Sequence, residues 1–94
     1  MDSYLVCYDI SDPKRLRRVA TACEDHGYRW QLSVFLCRLS KTDFVRLRSR
    51  LYEIIKHDED QVLLLPLCAG CVNKMEAIGR PAEPADGKDV VMVV

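Results

Sequence analysis

The sequence has no hydrophobic run that is long enough to span a bilayer. Its longest uncharged apolar stretch, Val62–Val72, is interrupted by Pro66 and Gly70 and is much shorter than the roughly 20 residues of a transmembrane helix. The first ten residues contain no basic residue and no small-residue cleavage pattern, so we expect no secretory signal. These absences argue against a membrane protein and a secreted disulfide scaffold, and they predict a cytoplasmic protein with reduced thiols.

The sequence also lacks a second cysteine pair and any histidine beside a nucleophile. Cys68-Ala-Gly-Cys71 is compatible with a redox pair or with half of a zinc site. No second pair of this spacing follows, and neither His26 nor His57 lies at zinc-finger spacing. We therefore favour ordinary buried or loop thiols. No Ser/His or Cys/His arrangement predicts nucleophilic catalysis.

The net charge is zero, but the charges are unevenly distributed. Residues 14–56 contain eleven Lys or Arg residues against four acidic residues, whereas residues 1–13 and 57–94 are net acidic. Nine of the fourteen bases are Arg, whose planar guanidinium group suits phosphate oxygens. The basic middle is either a phosphate-binding surface or two solvated helix faces, and charge alone does not distinguish them.

Hydrophobic patterning predicts one domain with strands and helices in alternation. A chain of 94 residues is the size of a single domain. Tyr4–Ile10 predicts a buried strand, and Ser11-Asp12-Pro13 predicts the start of a helix that ends at Gly27. Tyr28–Leu39 predicts two strands joined by a bend near Gln31–Ser33, because its twelve residues are long for one strand.

The second half of the chain predicts another helix and strand. Ser40 and Asp43 form a near capping box at a helix start, and Gln61–Cys68 is an almost continuous apolar strand. The β-α-β-β-α-β order predicts an α+β, ferredoxin-like fold with an antiparallel sheet over residues 1–78. Residues 79–94 predict a linker and a C-terminal edge strand that pairs within its own chain or with a partner.

Apolar residues occupy both phases of the predicted strands. In the first strand, Leu5 and Cys7 alternate with Val6 and Tyr8. The helices of such a fold cover only one face of the sheet, so the second face needs another cover. A two-fold homodimer that packs sheet against sheet is the simplest arrangement.

Several motifs together resemble the CRISPR-associated Cas-two (Cas2) family. Over roughly residues 3–68 they are Tyr8-Asp9-Ile10-Ser11-Asp12, Arg17-Arg18-Val19-Ala20, Gly27, Arg29-Trp30-Gln31-Leu32-Ser33-Val34-Phe35 and Leu65-Pro66-Leu67. The resemblance implies a small ferredoxin-like homodimer that acts as a Mg²⁺- or Mn²⁺-dependent endonuclease on RNA or duplex DNA. It also implies a subunit of the complex that inserts new spacers, where the protein bridges integrase subunits and DNA.

The resemblance also implies roles for individual residues. Asp9 matches the metal-binding, catalytic aspartate of the family, and Arg18, Arg29 and Phe35 match positions associated with that site. Further candidates for supporting the site or binding nucleic acid are Tyr8, Ser11, Arg15 and Arg17. The expected docking segment for the integrase subunit is the terminal run Val90, Val91, Met92, Val93 and Val94.

Physical reasoning leaves alternatives open for Asp9 and for the function. A carboxylate at the end of a buried strand is costly unless it is paired, hydrogen-bonded or metal-bound. Two-fold symmetry can bring a second Asp9 alongside to share a Mg²⁺ ion. Alternatively, Asp9 caps the following turn by accepting N–H groups near Ser11. The alternative functions are a non-catalytic adaptor and a ferredoxin-like domain of another kind, either regulatory or a toxin-like ribonuclease.

Overall fold

The computed structural model describes residues 1–79, which form seven helices and strands. They are β1 Asp2–Asp9, α1 Pro13–Glu24, β2 Gly27–Gln31, β3 Val34–Leu39, α2 Lys41–Ile54, β4 Gln61–Leu67 and α3 Ala69–Asn73. The predicted order is confirmed up to β4, whereas the sequence pattern does not predict the short α3. The predicted terminal strand Val90–Val94 lies outside the described residues. None of the helices within residues 1–79 is long and apolar enough to cross a membrane.

The strands form one antiparallel sheet in the order β2-β3-β1-β4. The helices α1 and α2 each join strands that are not neighbours and pack on the same face. This arrangement confirms the ferredoxin-like prediction. Leu32 and Ser33 turn the chain between β2 and β3, at the predicted bend.

Side-chain caps fix where the two long helices begin. Asp12 accepts a hydrogen bond from the N–H of Arg15 at 3.0 Å, and Ser40 accepts one from the N–H of Asp43 at 3.1 Å. Each cap satisfies a backbone donor that has no partner within the helix. Both helix starts are where the sequence predicts them.

Gly27 has a different role from the predicted one. Helix α1 ends at Glu24, and Gly27 is the first residue of β2. A Cβ atom at this position would collide with the carbonyl oxygen of Leu36 in β3. Glycine is therefore required here for the close approach of two strands, not for ending a helix.

The helices bury the first face of the sheet. Val6, Phe35 and Leu39 of the sheet are at most 1% exposed and belong to one core with Val19 and Leu47 of the helices. Apolar burial of this kind is the main favourable contribution to folding. The core therefore holds the strand ends and helix ends in fixed positions.

The second face of the sheet is also apolar, but parts of it face solvent. Strand pairing places Leu5 beside Leu36 and Leu65, and Cys7 beside Leu63. Leu63 is 49% exposed and Leu65 is 43% exposed. The apolar second face predicted from the sequence is present.

Candidate functional site

Asp9 lies at the end of β1 in the phase of the second face. Side chains alternate along a strand, so Asp9 shares the side of Leu5 and Cys7, opposite Val6 and Tyr8. Asp9 is exposed, and its carboxylate makes no hydrogen bond or ion pair with any residue of the range 1–79. Its exposure removes the desolvation cost expected from the sequence. The carboxylate is therefore free to bind a ligand from solvent or from another chain.

A different aspartate caps the turn that follows β1. The N–H of Ser11 donates to Asp60 Oδ1 at 3.0 Å, and the Ser11 hydroxyl lies 3.1 Å from the same oxygen. The alternative in which Asp9 caps this turn is wrong, because Asp60 takes the N–H group that Asp9 would have accepted. Asp60 reaches this position from the loop before β4, and its side chain is completely buried.

Asp60 is the centre of a buried ionic cluster that the sequence does not predict. Arg15 Nε donates to Asp60 Oδ2 at 2.7 Å, and the N–H of Lys56 donates to the same oxygen at 2.9 Å. The Arg15 guanidinium and these N–H donors hold the pKa of Asp60 well below its usual range. The cluster joins the start of α1 to the connection between α2 and β4.

Arg15 and Ser11 thus form hydrogen bonds with other residues of the same chain. The Arg15 side chain is 21% exposed and also lies 3.5 Å from Glu59, so its charge is compensated by two carboxylates. Ser11 uses both its N–H and its hydroxyl in the Asp60 cluster. The structure places these two candidates in the Asp60 cluster, at the turn that follows Asp9 and at the start of α1.

Tyr8, Arg29 and Phe35 form a second cluster, on the helix side of the sheet. The Tyr8 hydroxyl donates a hydrogen bond to the carbonyl oxygen of Leu32 at 3.3 Å, and Arg29 Nη1 donates one to the same oxygen at 3.2 Å. The Arg29 guanidinium lies 5.1 Å from the centroid of the Phe35 ring. Burial raises the pKa of Tyr8, while Arg29 acts in the opposite direction. Phe35 is completely buried, so this cluster fixes the β2–β3 turn and offers no ring for base stacking.

Arg17 and Arg18 line a basic groove between α1 and α2. The groove has a volume of about 440 Å³, and its lining residues are Lys14, Arg17, Arg18, Thr21, Arg50 and Ile54. Within the described part of the chain, Arg17, Arg18 and Lys14 form no ion pair, whereas Arg50 pairs with Asp25 at 2.6 Å. Clustered cations with few counter-charges attract anions such as phosphates. The sequence singles out the two arginines of α1, and α2 completes the groove.

The fold and these sites define a small ferredoxin-like protein with a free aspartate on one side of its sheet and a basic groove on the other. The model of the family described as CRISPR associated protein Cas2 matches residues 1–75. The chain therefore belongs to the Cas2 family.

Known relatives agree with this membership. The chain is 37% identical over 78 residues to a Synechocystis sp. protein named CRISPR-associated endoribonuclease Cas2 3. The match covers 83% of this chain and 85% of that protein. The crystal structure of Streptococcus pyogenes Cas2 at pH 6.5 is 36% identical, with a TM-score of 0.77, over 82% of this chain and 99% of that one. A chain of a partial Cas6-RT-Cas1–Cas2 complex is 26% identical, with a TM-score of 0.67, over 80% of this chain and 82% of that one. The resemblance read from the motifs is confirmed.

Proposed function

We propose that this protein is a metal-dependent endonuclease of the spacer-acquisition machinery, and that Asp9 holds the catalytic Mg²⁺ or Mn²⁺ in a homodimer. The observation that carries the proposal is the exposed Asp9 carboxylate, which has no partner within residues 1–79. Membership of the Cas2 family, and relatives named endoribonucleases, support hydrolysis of phosphodiester bonds as the reaction.

A homodimer is part of the proposal because one chain offers too few ligands. Within residues 1–79, no group of three or more His, Cys, Asp or Glu side chains is placed to hold a metal ion. Mg²⁺ is commonly bound by one or two carboxylates, with waters and substrate phosphates as the other ligands. Two copies packed through the second face, with Leu63 and Leu65 against the partner, would share apolar surface and bring two Asp9 residues together.

The residues on either side of Asp9 act as positioning residues. Tyr8 is bonded to the β2–β3 turn and Ser11 to Asp60, so the chain is anchored before and after Asp9. Asp9 itself pairs with Gln61 in the β1–β4 ladder. A metal bound there would lower the pKa of a water molecule and neutralise charge on the phosphate. A rigid support of this kind fixes a ligand within the narrow range that catalysis needs.

The proposal is tested by cleavage of labelled single-stranded RNA and duplex DNA in Mg²⁺, Mn²⁺ or chelator. We expect Asp9→Asn to reduce cleavage to the level seen with chelator, because the amide lacks the charge that holds the metal. Asp2→Asn is the matched control, since Asp2 is an exposed aspartate at the other end of the same strand. Metal-dependent cleavage that survives Asp9→Asn, or that is lost equally in Asp2→Asn, would overturn the assignment.

A second function, as a non-catalytic adaptor, is favoured by the basic groove. The groove lies on the helix side of the sheet, so phosphates held there are not those placed at Asp9. Lys and Arg contacts to backbone phosphates give affinity without sequence preference. The Cas1–Cas2 complex that contains a similar chain supports an integrase partner. In this role the groove would hold DNA. The segment Val90–Val94, which lies outside the described residues, would dock the integrase subunit.

The adaptor is tested by DNA binding over a range of salt concentrations. We expect the double change Arg17→Gln, Arg18→Gln to lower the slope of log K against log salt by about 2, because two phosphate contacts are lost. The matched control is Lys41→Gln, Arg46→Gln, which removes two exposed charges of α2 that do not line the groove. Equal losses in both double variants would mean that net charge, and not the groove, binds DNA.

A further inference from the structure

Cys68 and Cys71 lie side by side on the surface where the chain leaves β4. Their sulfur atoms are 3.3 Å apart, and the N–H of Cys71 donates a hydrogen bond to Cys68 Sγ at 3.4 Å. Both residues are exposed, and neither belongs to the hydrophobic core. Neither the nuclease nor the adaptor function uses them.

The other three cysteines have a different environment. Cys23 and Cys37 are buried, and burial raises the pKa of their thiols to about 12 and about 11. Burial also raises the pKa of Cys7. By contrast, the hydrogen bond from the N–H of Cys71 lowers the pKa of Cys68, and the contact with Cys68 raises the pKa of Cys71. Only the exposed pair combines accessible sulfur with a neighbouring thiol.

We propose that Cys68 and Cys71 are a reversible dithiol–disulfide pair that exchanges with small-molecule disulfides of the glutathione type. The two sulfurs are already in contact at 3.3 Å, so they need to approach by only about 1 Å more to reach the length of a disulfide bond. Cysteine pairs of this kind in reduced compartments are oxidised transiently and are not structural disulfides.

The exchange proceeds in two displacements. The Cys68 thiolate attacks one sulfur of the small disulfide, whose S–S bond breaks and releases one thiolate, leaving a mixed disulfide on Cys68. The Cys71 thiol then loses its proton and attacks Cys68 Sγ, which releases the second small thiolate to take up that proton. The pair loses two electrons and the small disulfide gains them. The new bond would fix the 68–71 turn, where the chain leaves the edge strand β4.

The test is a redox titration of the full chain in buffers with defined ratios of reduced to oxidised glutathione. After an acid quench, free thiols are alkylated and the protein is digested with trypsin. Cleavage after Lys56 and Lys74 puts both cysteines on one peptide, which contains none of the other three. At oxidising ratios we expect this peptide to lose two hydrogen atoms and both alkyl labels, while the three other cysteines stay labelled.

Single serine variants show whether the bond is internal. We expect Cys68→Ser and Cys71→Ser to form at most a mixed disulfide at the remaining thiol. Cys68→Ser keeps the fold because a serine hydroxyl also accepts the N–H of Cys71. A wild-type peptide that stays a dithiol at every ratio, or that carries two glutathione groups and no internal bond, would overturn the proposal. Faster alkylation of Cys71 in Cys68→Ser than of Cys68 in Cys71→Ser would overturn the attacking role of Cys68.

Discussion

The aspartates on the helix side of the sheet and on its second face differ in burial and in bonding. On the helix side, Asp60 is completely buried, and it is bound by Arg15, by Ser11 and by the N–H of Lys56. On the second face, Asp9 is exposed and has no partner within residues 1–79. Two aspartates at the same end of the molecule thus differ in burial and in bonding. The carboxylate with many partners within the chain holds the fold, whereas the one without them can bind a ligand from outside the chain.

The largest effect on stability is expected from removal of the buried carboxylate. Asp60→Ala leaves Arg15 without its main counter-charge and Ser11 without its acceptor, so we expect the melting temperature to fall by roughly 10 °C or more. Asp58→Ala is the control, because Asp58 is exposed in the same loop. Thermal unfolding followed by circular dichroism measures both variants. Equal melting temperatures for the two variants would contradict a stabilising role of the Asp60 cluster.

The same carboxylate predicts how stability depends on pH. Its folded-state pKa is lowered, so its contribution is complete above the ordinary aspartate pKa of about 4 and is lost as the pH falls further. We expect wild-type protein to lose stability below about pH 4 more steeply than Asp60→Asn, which has no proton to bind at this position. Urea unfolding at a series of pH values checks the difference. Identical acid slopes would contradict the assignment of Asp60.

A charged substitution on the second face is expected to change the oligomeric state without unfolding the protein. We expect Leu65→Glu to convert a dimer into a monomer, because an unpaired charge would be buried between the two sheets. Val45→Glu places the same charge on α2, where Val45 is 50% exposed and away from this face. Sedimentation velocity distinguishes the two states. A monomeric wild-type protein would contradict the proposed homodimer, and a Leu65→Glu variant that remains dimeric would place the interface elsewhere.

The smallest effect is expected at the surface ion pair beside the groove. Asp25→Asn removes the partner of Arg50, and exposed pairs contribute little, so we expect the melting temperature to change by less than about 3 °C. The freed guanidinium adds a cation to the groove, so DNA binding should strengthen at low salt. Weaker binding in this variant would exclude Arg50 from the phosphate contacts.

Short-range signals in the sequence predict much of the fold. The caps at Asp12 and Ser40 depend on donors three residues away, and the β2–β3 bend depends on the length of one apolar run. Such features are visible in the sequence because the interacting groups are close along the chain. The five-residue α3 has no apolar periodicity and is too short to give a signal of this kind.

The sites could be predicted only in part, because their contacts are distant in sequence. Asp60 meets Ser11 across 49 positions, and no local pattern distinguishes it from Asp58 and Glu59. The local reading of Asp9 as a turn cap fails for the same reason, since its expected donor is taken by a distant residue. Asp9 becomes a metal-site candidate through the family resemblance, and its exposed position on the second face agrees with that role.

In the proposed homodimer, two Asp9 carboxylates share one metal ion, and a Mn²⁺ titration followed by electron paramagnetic resonance counts the bound ions. For the wild-type protein and Asp2→Asn, we predict about one tightly bound ion for every two chains. For Asp9→Asn, which should keep the wild-type melting temperature, we predict no tight binding. Binding that persists in Asp9→Asn, or one ion for each chain in the wild type, would contradict the shared site.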